Sequence, residues 1–176
     1  MLVTILTLAM LQATSAQATA PTSPACNSEA HAAFDFWVGE WDVFPAGSDR
    51  QAARSRIERL YNGCAIRENW MPLNGSDGGS LNSLDTATGL WHQTWVGSSP
   101  GRVEFTGGPV EDGRIVLTGW WPGAGGPDVD GLIRMTYSRE SGGAVRQHGE
   151  LSTDHGLSWQ TSFDFIYRPR ETSAKK

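Results

Sequence analysis

Lysine is nearly missing from this chain: its basic residues are arginines except for Lys175 and Lys176 at the very end. Acidic residues outnumber basic ones, 19 against 14, and the formal net charge is -5. That balance excludes the basic footprint of a nucleic-acid binder, so no nucleic-acid partner is expected. Long hydrophobic runs are missing too. The apolar stretch Leu2 to Leu11, LVTILTLAML, is too short to cross a bilayer, and no other run approaches that length. No membrane span is therefore expected. Cysteine is scarce: Cys26 and Cys64 stand alone, without a C-x-x-C or a histidine pair at ligand spacing. This assigns no metal and no redox centre. The G-x-S-x-G elbow is absent, and none of the four histidines stands in a nucleophile motif, so no catalytic residue is assigned. The run Asp128 to Gly131, DVDG, starts like a calcium loop but lacks the distal glutamate and reads as a turn.

What the chain does have is glycine, tryptophan and an export-type start. The apolar opening is followed by ATSAQA, in which Ala16-Gln17-Ala18 has the small-x-small form of a cleavage site. Residues 1–18 read as a signal peptide, 19–27 as a flexible arm, 28–169 as one domain and 170–176 as a disordered tail. A secreted or periplasmic location follows, and an oxidising compartment permits a disulfide between Cys26 and Cys64. Such a bridge stabilises by roughly 3–4 kcal/mol on the chain-entropy account. The 21 glycines are spread as turn punctuation, and eight tryptophans must fill a core or line a cavity.

Ser28 is placed to cap a short helix through Trp37, with Ala32, Ala33, Phe36 and Trp37 as its apolar side and Gly39 as its stop. Beyond it the helical period vanishes. Ten short β-type runs follow: 40–44, 52–60, 65–71, 80–84, 90–96, 102–106, 114–121, 132–138, 144–151 and 158–167. Turn residues in DTATG, EDGR and ESGG suit hairpins between them. Even spacing without interleaved helices predicts an all-β antiparallel meander, and closure into a barrel hides its edges. Ser152 to Trp159, STDHGLSW, has the S-x-D-x-G-x-S-W spacing of an Asp-box. One copy in a chain this short makes a turn rather than a propeller, with Asp154 and Gly156 shaping it and Trp159 opening the next strand.

The stretch Phe34 to Phe44, FDFWVGEWDVF, carries Gly39-x-Trp41 directly after the short helix and at the start of the first strand. This resembles the G-x-W signature of calycins, the lipocalin-type ligand-binding barrels. With NGCAIRENW, SLNSLDTATGLWHQTWV and VRQHGELSTDHGLSWQTSFDFIY, the chain resembles a family of secreted bacterial proteins of unknown function. The resemblance implies a calycin-like barrel with Trp41 across its floor and carries no reaction over. About ten strands, rather than eight, make a fatty-acid-binding or nitrobindin-like barrel as close a comparison as a true lipocalin. A nitrobindin-like barrel would hold haem through one histidine, which draws attention to His148 and His155.

Strand parity groups the side chains. Ile66, Glu68 and Trp70 share one face, as do Trp91, Gln93 and Trp95; Val145, Gln147 and Leu151 share another. Trp159, Thr161, Phe163, Phe165 and Tyr167 read as a nearly continuous apolar face. Large aromatics beside one polar group suit a cavity for a small hydrophobic or amphipathic molecule. The candidate ligand-binding residues are Glu68, Trp70, Gln93, Trp95, Arg134 and Gln147, and Gly39, Trp41, Asp154, Gly156 and Trp159 are structural. Arg134 either pairs with Glu68, meets an anionic ligand or sits solvated on the outer face. Two alternatives stand beside binding: an enzyme using Glu68, paired with Asp164 or Glu150, and a haem protein. No cofactor is assigned.

Overall fold

The computed structural model describes residues 26–170. The signal peptide, most of the arm and nearly all of the tail expected from sequence lie outside the described residues. A single turn of helix, α1 (Glu29–Ala32), opens the domain, with the Ser28 hydroxyl accepting from the His31 amide. A separate 3₁₀ turn follows at Asp35–Trp37. The one continuous helix expected through Trp37 is thus two short turns. Its apolar side differs as well: Phe34 and Trp37 are wholly buried, while Ala33 and Phe36 pack only partly. With the helix broken, Phe34 and Trp37 are the pair that turns inward, in place of the side formed by Ala32, Ala33, Phe36 and Trp37.

Ten antiparallel strands follow: β1 (Gly39–Pro45), β2 (Ala53–Leu60), β3 (Ala65–Pro72), β4 (Gly78–Asp85), β5 (Leu90–Gly97), β6 (Val103–Pro109), β7 (Ile115–Gly126), β8 (Val129–Arg139), β9 (Val145–Ser152) and β10 (Gln160–Pro169). Each pairs with the next, and β1 pairs with β10, so the sheet closes into an all-β barrel with no free edge. Every expected strand is present, within a few residues of its expected bounds. The largest departure is the β7–β8 hairpin, which runs on through PGAGGPDVDG to the pair Gly126↔Val129. A register shift between Trp121 and Gly126 absorbs Pro122, which has no amide to give a ladder.

The hairpin chemistry follows the sequence. Gly89, Gly113 and Gly142 take the left-handed conformation in the three expected turns. In STDHGLSW the Asp154 carboxylate accepts from the Ser152 and Ser158 hydroxyls at 2.6 Å each and from the Ser158 amide at 2.9 Å. Those bonds hold its carboxyl well below the usual carboxylate range. The Trp159 indole donates to the Gly156 carbonyl at 3.0 Å, closing the turn.

One strand departs from simple alternation. A register shift between Thr161 and Phe163 divides β10, so Phe163, Phe165 and Tyr167 face inward while Thr161 faces out and bonds His148. Trp159 lies outside too, beneath the Arg134 guanidinium. The continuous apolar face expected from Trp159 to Tyr167 is therefore broken by a bulge, which inverts parity on one side of it.

One end of the barrel is plugged. Phe34 and Trp37 stack at 5.1 Å between ring centres, and both meet Tyr137 at 4.9 Å. Trp91 meets Phe34 edge-on at 5.7 Å. Trp41 is buried at the same end and donates its indole N–H to the Trp37 carbonyl at 2.9 Å. Gly39 gives that ring its place: a Cβ there would lie 3.1 Å from the Trp41 ring. The plug is tied down twice. A Cys26–Cys64 disulfide, spanning 38 residues, anchors its start to the β2–β3 connection. Arg59 pairs with Asp35 and donates to the Cys26 carbonyl.

Candidate functional site

Along the inward faces the side chains change character in order. On β3 the sequence is Ile66, Glu68, Trp70; on β5 it is Trp91, Gln93, Trp95; on β9 Val145 precedes Gln147. The first member of each set joins the plug and the second lies at mid-barrel. On β3 and β5 the third lines the far end, where a cavity of about 280 Å³ opens. Its walls are Trp70, Trp95, Phe105, Trp121, Phe163 and Phe165, and its floor is Glu68, Gln93, Met135, Gln147 and Tyr167. Most of the wall rings are only half-buried, since the cavity reaches solvent between them. A second hollow shares Trp95 and Trp121 and widens the mouth over Asp77 and Arg102.

Gly149 makes part of this space. It stands opposite Phe163 across β9 and β10, and a Cβ there would lie 2.3 Å from the Phe163 ring. The far end of the ring occupies the place a side chain would take, because nothing projects from the glycine.

The floor is a hydrogen-bonded belt. The Ser80 hydroxyl donates to Glu68 Oε2 at 2.9 Å, and Asn82 donates to Ser80 Oγ at 3.1 Å. Gln93 donates to Asn82 Oδ1 at 2.7 Å and to the Tyr137 hydroxyl at 3.3 Å. Gln147 donates to the Tyr137 hydroxyl at 2.9 Å and accepts from the Tyr167 hydroxyl at 2.6 Å. All seven side chains are buried. Polar groups in such a setting are stable only when paired, and each side chain of the belt has its partners here.

Glu68 is the one member that can carry charge near neutrality. Burial raises its pKa to about 7, with the hydrogen bond from Ser80 and the polar Tyr167 hydroxyl nearby acting the other way. Burial and the nearby Glu68 charge push Tyr137 and Tyr167 upward, so both stay neutral hydroxyls. Chemically, the site can hold an apolar body, offer amide and hydroxyl contacts, and exchange one proton at Glu68.

The expected ligand-binding residues divide. Glu68, Trp70, Gln93, Trp95 and Gln147 come together around the cavity. Arg134 does not: it lies on the outer face, donating to Glu150 at 2.9 Å and covering Trp159 at 4.1 Å. Its position alternates with the inward Ile133 and Met135, so of the three placements expected for it the outer face is the one found, and its partner is Glu150 rather than Glu68. The carboxylate pairs expected for an enzyme are not formed either. Asp164 is held by Arg146 and Glu150 by Arg134, both on the outside. Among the lining residues there is no histidine; His148 bonds Thr161, and His155 is exposed in the Asp-box turn. The donor set therefore does not fit a histidine-held haem.

Ser80, Asn82, Phe105, Trp121, Met135, Tyr137, Phe163, Phe165 and Tyr167 complete the site and are not among the site residues expected from sequence. Asn82 and Ser80 sit in GGSLNSLD, a run that reads as a polar surface strand; only closure of the barrel turns it inward. Fold and cavity together define a closed ten-stranded barrel, plugged at one end and hollow at the other. Compared with protein-family models and with curated proteins, the sequence gives no match.

Proposed function

We propose that this protein is an exported, calycin-like binding barrel that takes one small hydrophobic or amphipathic molecule into the cavity above Glu68, Gln93 and Gln147. The observation that carries the reading is the division of labour inside one barrel. Aromatic side chains that could have closed the core line about 280 Å³ of open space instead, over a satisfied polar floor. Burial of aromatic and aliphatic ligand surface supplies affinity, and the floor orients the ligand's polar end. The Cys26–Cys64 disulfide supports residence in an oxidising compartment, and no helix among the described residues is long and apolar enough to cross a membrane. The leader 1–18 belongs to this proposal and is tested by N-terminal sequencing of exported protein.

Native mass spectrometry and tryptophan fluorescence test the reading together. Trp70, Trp95 and Trp121 ring the cavity, so a neutral aromatic alcohol entering it changes their emission and appears as a one-to-one adduct. Absence of both responses across a size series would overturn the proposal.

A further inference from the structure

Resting on the reading of the cavity as a ligand site, we infer that its ligand is an organic cation: an amine or quaternary ammonium on an apolar body, with Glu68 as counter-charge. Among the residues lining the cavity itself Glu68 is the only one that bears charge; Asp77 and Arg102 stand only in the hollow at its mouth. Arginines of the barrel are committed to carboxylates elsewhere, Arg134 to Glu150, Arg146 to Asp164, Arg67 to Glu58 and, at the mouth, Arg102 to Glu104. An anionic headgroup would meet a carboxylate with no cation to offset it. That counts against fatty-acid-like carboxylates, for which a buried arginine would serve.

The neighbours of Glu68 are neutral on every side. Ile57 stands opposite on β2 and Ser80 on β4, while Tyr137 from β8 and Tyr167 from β10 approach across the barrel. A carboxylate so placed has no internal counter-ion, and burial accordingly raises its pKa to about 7. A ligand cation supplies the missing charge. The walls suit the same guest, because Trp70, Trp95 and Trp121 line the cavity and indole rings attract a desolvated cation. Aromatic walls with a single acid at the base are the complement of an ammonium group on a small apolar frame.

The test is a calorimetric titration of the full exported chain with benzyltrimethylammonium, benzyl alcohol and benzoate at low ionic strength. At pH 8 the cation is expected to bind at least tenfold more tightly than the alcohol, and benzoate not measurably. The cation's charge is permanent, so lowering the pH to 5 titrates only the protein. Protonation of Glu68 should then remove the cation's advantage. Glu68→Gln should remove it at pH 8; if that variant does not fold, the pH comparison in the parent protein decides alone. Binding of the alcohol with no preference for the cation, or with benzoate tightest, overturns the inference and leaves the cavity reading intact. Failure of both alcohol and cation to bind overturns the cavity reading itself.

Discussion

The two ends of this barrel are built from the same kinds of residue and come out differently. At the closed end Phe34, Trp37, Trp91 and Tyr137 pack ring on ring and are wholly buried. At the open end Trp70, Trp95, Trp121, Phe163 and Phe165 are just as aromatic and enclose space. The difference is that a segment outside the sheet enters one end. Phe34 and Trp37 come from the turns before β1 and fill the centre, which the inward side chains of ten strands leave unfilled. No described segment does this at the other end. Hollowness here is a property of chain topology more than of residue type.

The comparison breaks most sharply by removing a ring from each end. Trp37→Ala should cost about 3–5 kcal/mol, as expected for a fully enclosed tryptophan that leaves a cavity behind. Trp95→Ala removes a half-buried ring already facing space and should cost about 1–2 kcal/mol. Urea midpoints for the two variants give the ratio directly. Equal losses would mean that the open end is as tightly packed as the plug.

Most of the barrel could be read from the chain, and the reasons are local. Most strands have glycine, asparagine, aspartate or proline at or near their ends, and I66-x-E68-x-W70 and W91-x-Q93-x-W95 display the apolar, polar, aromatic order of the interior outright. Where reading failed, a non-local event decided the outcome. The bulge between Thr161 and Phe163 inverted the parity of one end of β10, and no residue there announces it. Asn82 and Ser80 lie in a strand of small polar residues whose inward face exists only once β3 and β5 flank it. Phe34 was hidden by the assumption of one helix where there are two turns. Arg134 shows the opposite limit: a charge in an apolar strand suggests a site, but parity with Met135 had already set it outside.

Between the two ends lies the polar floor, and its acid makes the comparison depend on pH. Glu68 in the folded barrel has its pKa raised to about 7, against 4.5 for the unfolded group. Below 4.5 both states hold the proton and the group contributes no pH dependence. As pH rises from 4.5 to 7 the unfolded chain releases the proton while the folded one keeps it, so stability falls. The full loss is about 3 kcal/mol and is complete above 7. Glu68→Gln removes that proton exchange, so the variant should gain on the parent by this amount between pH 4.5 and 8. Denaturation at the two pH values measures it, and a parent protein no less stable at pH 8 would place Glu68 in contact with water.

The smallest effect sharpens the boundary between inside and outside. Arg134→Ala removes a half-exposed ion pair with Glu150 and a guanidinium over Trp159. Each contributes at most about 1 kcal/mol at a site this open to solvent. The β8–β9 ladder beneath is backbone and stays, so the variant should fold with a melting temperature lowered by a few degrees at most. Because Arg134 lies across the sheet from the cavity, affinity for benzyl alcohol and for benzyltrimethylammonium should be unchanged. A selective loss of affinity for a small anion in this variant would show the guanidinium reaching a ligand after all. It would also move the site from the barrel's interior to the rim formed by β8, β9 and the Asp-box turn.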